Sequence, residues 1–114
     1  MSKRIQRVNQ LIKKELGQLI LREVEFPKDV LVTITRVETA TDLNRTRVFV
    51  SCLPTSRTAQ ILLILHHQIH ILQHTLNRRL RMKFIPRIEF IKEEKTREAG
   101  EIEELLEGLK REGK

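Results

Sequence analysis

Apolar residues recur near the start of this chain at Ile5, Val8, Ile12, Leu16 and Leu19, in steps of three and four. That is the period of one helix face, and it predicts an amphipathic helix over residues 3–23. Arg4, Arg7, Lys14, Gln18 and Arg22 fall on the opposite side, with Lys3 beside them. Ser2 is placed to cap the helix. Phe26-Pro27 ends it, because the residue before a proline is driven out of the helical region.

The period then changes from helical to alternating. Residues 30–38 read Val-Leu-Val-Thr-Ile-Thr-Arg-Val-Glu, dense in β-branched side chains, and predict a strand. Residues 45–52 predict a second, with Thr46, Val48, Val50 and Cys52 on one face and Arg45, Arg47, Phe49 and Ser51 on the other. The link Thr41-Asp42-Leu43-Asn44 is short and polar, so the two strands form an antiparallel hairpin. Apolar residues mainly on one face fit a sheet covered by helices on a single side.

Pro54-Thr55-Ser56 makes a turn and a cap. From Thr58 to about Leu80, the positions Leu62, Leu65, Ile69, Leu72 and Leu76 again step by three and four. Arg81 to Pro86 breaks this helical region, and Arg87-Ile88-Glu89-Phe90-Ile91 alternates as a third strand. Pro86 sits at its start, where a proline is tolerated. The order is α-β-β-α-β with the long helix open to division in two, an α+β domain with a three-stranded sheet packed on helices.

Composition narrows the function classes. The 114 residues fit one domain, and the formal net charge is +7. Residues 1–92 hold 17 basic and 7 acidic side chains, whereas residues 93–114 hold 5 basic and 8 acidic. The expectation is a basic globular domain over 1–92 and a charged tail over 93–114, with a short helix near Ile102 to Leu109. So basic a domain points to a polyanionic partner, nucleic acid or an anionic membrane surface. The longest apolar run is five residues, Ile61 to Leu65, too short to span a bilayer. The N-terminus lacks the apolar stretch of a secretion signal, so a cytoplasmic protein is expected. One cysteine supports neither an internal disulfide nor a multi-cysteine zinc site. With no Trp or Tyr, exposed aromatic platforms for bases are poorly supplied.

Three groups of residues could carry chemistry. Arg78, Arg79, Arg81, Lys83 and Arg87 place five cations in ten residues with no acid among them. That repels itself unless a polyanion or salt relieves it, although cations also suit a helix C-terminus. Lys3, Arg4, Arg7, Lys13, Lys14, Arg45 and Arg47 add to it and favour nucleic acid. His66, His70 and His74 repeat at a spacing that can chelate a metal, with His67 alongside. No carboxylate in that stretch completes a ligand set, so a polar helix face is the better reading, and no metal or other cofactor is expected. Cys52 reads as a small buried hydrophobe rather than a reactive thiol. No nucleophile elbow, phosphate-binding glycine loop or metalloprotease motif is present, and the chain is not expected to be an enzyme.

Five segments in order carry a resemblance. They are Arg4-Ile5-Gln6-Arg7-Val8 with Ile12 and Glu15-Leu16, then Val32 to Glu38, Thr41-Asp42-Leu43, Arg47 to Ser51, and Pro86 to Phe90. From about Arg4 to Leu106 the chain resembles the bacterial ribosome-binding factor A family. The resemblance implies a KH-like domain of the second topology, α-β-β-α-α-β. It implies a non-catalytic assembly factor that binds the free small (30S) ribosomal subunit through its ribosomal RNA during late maturation and 5′-end processing. It further implies a maturation GTPase as a partner in release, a link to growth in the cold, and departure before translation. The family replaces the usual Gly-x-x-Gly loop by an Ala-x-Gly kink. Counting back from Pro86 places that kink at Gln68-Ile69-His70, where neither Ala nor Gly stands. Phe26-Pro27 stands where the family more often has Asp-Pro.

From charge clustering, Arg4, Arg7, Lys14, Arg45, Arg47, Arg78, Arg79, Arg81, Lys83 and Arg87 are the expected phosphate contacts, in a monomer without membrane attachment. The competing reading is a non-catalytic protein-binding adaptor without an RNA role, which would present an exposed apolar patch instead of a basic one.

Overall fold

The computed structural model describes residues 3–94. Helix α1 spans Lys3–Glu23, strands β1 and β2 span Leu31–Thr39 and Arg45–Leu53, a 3-10 turn spans Thr55–Arg57, helix α2 spans Thr58–Arg79 and strand β3 spans Arg87–Lys92. The sheet order is β1-β2-β3. β1 and β2 form the expected antiparallel hairpin. β3 runs parallel to β2, as a helical crossover through α2 requires. The helices lie on one face of the sheet, in the KH-like arrangement of the second topology. The 3-10 turn supplies the short first helical element after β2. α2 then runs uninterrupted through Gln68-Ile69-His70, so the division into two helices falls at residues 57–58 instead of at the family's kink position. Leu62 and Ile69 are half-buried, and Ile61 is the fully buried residue in the first turns of α2.

The core forms where the two helical stripes meet the inner face of the sheet. α1 contributes Val8, Ile12, Leu16, Leu19 and Ile20, and α2 contributes Ile61, Leu65, Leu72 and Leu76. Val48, Val50, Cys52, Ile88 and Phe90 face them from the sheet. Burying each large aliphatic side chain contributes about 1.5–3 kcal/mol. Two buried hydroxyls cross this layer: Thr39 Oγ1 lies 2.9 Å from Thr46 Oγ1 and donates to Asn9 Oδ1 on α1 at 2.6 Å. Cys52 is buried, with Sγ 3.3 Å from Thr58 Oγ1.

The simple alternation read along β1 fails at one point, and the register shows why. Ile34 pairs with Val50 but Arg36 pairs with Phe49, so Thr35 is the extra residue of a β-bulge. The bulge resets the phase. Val32 and Ile34 before it, and Val37 and Thr39 after it, all face the helices. Arg36 thereby reaches the outer face, opposite Phe49.

No helix among the described residues is long and apolar enough to cross a membrane. Ser2 and the tail helix expected near Ile102 to Leu109 lie outside the described residues.

Candidate nucleic-acid interface

The β1–β2 turn is tightly built. Leu43 donates its main-chain N–H to Ala40 O, Ala40 donates to Arg45 O, and Asn44 donates to Asp42 Oδ1. Leu43 holds a positive φ of 62°, a left-handed conformation unusual for a residue with a branched apolar side chain. The connection from α2 to β3 docks against this turn, because the Arg87 N–H donates to Asn44 O at 3.0 Å. Gln73 holds the same junction from the α2 side. Its Oε1 accepts the Ile88 N–H at 2.8 Å and its Nε2 donates to Pro86 O at 3.2 Å.

These contacts gather three elements at one end of the molecule and shape two clefts that share Asn44 as a wall. The first has a volume of about 590 Å³. α1 lines it with Arg4, Arg7, Val8 and Leu11; the turn adds Asp42 and Leu43; the connection adds Met82, Lys83 and Phe84. The second, about 550 Å³, is more polar and is lined by Arg45, Arg87, Gln73, Asn77 and Ile85. Arg45 and Arg87 are direct cross-strand partners, and both are exposed. Like charges so paired are unfavourable, and an anion between them removes the penalty.

The ten cations expected from sequence do not form one cluster. Arg4, Arg7 and Lys83 rim the first cleft, and Arg45 and Arg87 rim the second. None of these five forms an ion pair among the described residues. Arg47 is different: its cross-strand partners are Glu38 on one side and Glu89 on the other, so its row is balanced by acids. Arg79 is taken up by Glu15 of α1, Nη1 to Oε2 at 3.3 Å. Lys14 lines a separate apolar groove between α1 and the free edge of β1. Arg78 and Arg81 are exposed, and Arg81 lies beyond the last residue of α2.

Leu43, Met82 and Phe84 join the site without having been expected. Phe84 sits in a break between elements, where no periodicity marks a face, and it is 74% exposed. Among the described residues no three His, Cys, Asp or Glu side chains converge in a way that could hold a metal ion. His66 Nε2 instead lies 3.3 Å from Phe90 O. The outer face of the sheet is also closed to stacking. Arg36 lies over Phe49, and its guanidinium donates through Nε to Glu93 and through Nη1 to Glu38. The hydrogen bond to Glu93, with the further charge of Glu38, outweighs partial burial and raises the Arg36 pKa above its usual value.

The family model described as Ribosome-binding factor A matches residues 4–106. Ribosome-binding factor A of Thermodesulfovibrio yellowstonii is 34% identical over 109 residues, covering 96% of this chain and 92% of that protein. The crystal structure of ribosome-binding factor A from Thermus thermophilus superposes with a TM-score of 0.65 at 27% identity, over 77% of this chain and 94% of that one. A homology model of the Thermus thermophilus factor, fitted into the cryo-EM map of a 30S complex with that factor, superposes with a TM-score of 0.62 at 29% identity, over 73% of this chain and 88% of that one. By family match, sequence identity and fold, this chain belongs to the ribosome-binding factor A family.

Proposed function

We propose that this chain is a cytoplasmic, non-catalytic ribosome assembly factor. It binds the free small ribosomal subunit through ribosomal RNA and assists late maturation and 5′-end processing of that RNA. The observation that carries the reading is the set of five cations at one end that form no ion pair among the described residues: Arg4, Arg7, Arg45, Lys83 and Arg87. Cations in clefts draw a polyanion by phosphate contact and by steering its approach. The 30S complex of the Thermus thermophilus relative supports the small subunit as the partner. On this reading residues 1–92 are the RNA-binding domain and 93–114 a charged appendage. The protein acts as a monomer, and a maturation GTPase promotes its release.

Mechanistically, the factor needs no chemistry of its own. A protein that binds an immature RNA conformer more tightly than the mature one shifts the population toward the first by that difference in affinity. Phosphate contacts set register and strength, and the shape of the clefts decides which RNA conformer they fit.

The test is co-sedimentation of the chain with free small subunits, with whole ribosomes, and with particles from cells lacking it. Preference for free or immature small subunits, together with accumulation of 5′-extended RNA when the chain is removed, supports the proposal. Equal binding to every particle contradicts it. Retention after nuclease treatment and in high salt would instead favour a protein-binding adaptor.

A further inference from the structure

The geometry points to a nucleotide site within that interface: the first cleft takes one unstacked RNA base against Phe84, with its flanking phosphates on Arg4, Arg7 and Lys83. This rests on the RNA-binding reading above and specifies how the contact is made. Three observations carry it.

The cleft joins apolar walls to a cationic rim. The one carboxylate among its described lining residues, Asp42, is exposed and accepts the Asn44 N–H at 3.0 Å on Oδ1 and the Asn44 side-chain amide at 3.2 Å on Oδ2. Arg4, Arg7 and Lys83 outnumber that carboxylate, so the rim carries a net positive charge. An apolar, flat group carrying negative charge at its edge fits this combination, and a nucleotide has both parts.

Phe84 is the exposed member of the chain's four phenylalanines. Phe49 and Phe90 are buried, and Phe26 is half-buried. Lys83 Nζ lies over one face of the ring, 5.6 Å from its centroid, so the base is placed on the opposite face with a cation within reach of its phosphate. An exposed aromatic ring beside cations is the usual platform for single-stranded RNA, whereas a duplex hides its base faces.

Leu43 places a large apolar side chain in the cleft wall from a left-handed backbone position. Gly or Asn would hold that conformation with less strain. Such strain concentrates where a side chain is needed for binding.

The experiment compares Phe84→Ala, Phe84→Trp and the triple charge reversal Arg4→Glu/Arg7→Glu/Lys83→Glu, using free small subunits as the probe across a salt series. Phe84 is exposed, so thermal melting should be unchanged in both single variants. Stacking of one base predicts that Phe84→Ala weakens binding by about 5- to 160-fold at every salt concentration without changing the salt slope. Phe84→Trp should bind at least as tightly as the native chain. The triple variant should bind weakly with a shallower slope. If Phe84→Ala binds like the native chain while the slope still responds to charge reversal, the base site is wrong and the RNA reading stands. If neither variant changes binding, both are wrong. A photocrosslinking phenylalanine at position 84 separates the partner classes. Crosslinks to ribosomal RNA support the site; crosslinks to ribosomal protein alone overturn it.

Discussion

The Arg36 guanidinium lies 3.9 Å from the centroid of the Phe49 ring. This stack closes the outer face of the sheet. Phe49 is the one aromatic residue in β2, and it lies on the face without helices. Arg36 covers it, and Glu93 holds Arg36 in place through Oε1 at 3.0 Å. Thr35, the bulge residue, donates to the same Glu93 oxygen at 3.0 Å. The bulge thus builds a small polar lid over an aromatic ring, and the lid keeps that ring from serving as a stacking platform.

Removing the lid should cost stability. Arg36→Ala loses a cation–π contact and charge-assisted hydrogen bonds, at a site exposed enough for water to screen the ion pair. We expect about 1 kcal/mol, read as a fall of roughly 4–8 °C in melting temperature. Glu93→Gln keeps an acceptor for Thr35 and should cost less. A fall as large in Glu93→Gln as in Arg36→Ala would mean that the carboxylate, not the stack, holds the face together.

Gln73 supports the interface from behind. Its amide satisfies the Ile88 N–H, which faces away from β2, and also the carbonyl of Pro86. Gln73→Leu leaves both partly buried groups unpaired and should destabilise by about 1–3 kcal/mol in chemical denaturation. Hydrogen exchange should show the loss concentrated at the start of β3. Uniform loss across the sheet would contradict a local clamp.

Leu43 separates backbone strain from side-chain function. Asn tolerates the left-handed conformation, so Leu43→Asn should fold with stability within about 1 kcal/mol of the native chain. Leu43→Val puts a β-branched residue at the same φ and should lose about 1–2 kcal/mol. Equal stability of the two variants would mean that the turn relaxes to another conformation in solution.

Arg79 tests whether charge density or charge availability decides the contacts. It lies in the densest cationic run of the sequence, yet it is ion-paired with Glu15 and largely covered. Arg79→Ala should weaken small-subunit binding less than Arg4→Ala does, and should lower stability by no more than about 1 kcal/mol. The reverse order would return the contact to the end of α2.

The elements are legible in the sequence because the periods are clean. The stripe from Ile5 to Leu19 and the alternation from Thr46 to Cys52 each bury one face, and both read nearly to the residue. The bulge is not legible. In β1 the strand's phase shift appears only as Val37 standing one position out of step with Val32 and Ile34. The turn at Pro54-Thr55-Ser56 and the helix start at Thr58 are legible in the sequence, and α2 runs straight through Gln68-Ile69-His70, where neither Ala nor Gly stands to kink it.

The cationic character of the site is visible in composition, but its membership is not. Sequence places Arg47 and Arg79 on equal terms with Arg4 and Arg87. Only the register, which sets Arg47 between two glutamates, and the packing of α1 on α2, which delivers Glu15 to Arg79, separate them. Phe84 is invisible for a different reason: it belongs to no periodic element, and its exposure depends on how the connection docks on the turn.

The central claim is that one end of the molecule, and not its overall positive charge, binds ribosomal RNA. The direct measurement is equilibrium affinity for free small subunits across a salt series, for Arg4→Glu/Arg7→Glu/Lys83→Glu against Lys13→Glu/Lys14→Glu/Arg22→Glu. Both triples change the net charge equally. We predict that the first loses at least about tenfold in affinity and lowers the salt slope by about two to three, while the second loses far less. Equal losses would show that binding follows net charge, and would contradict the site.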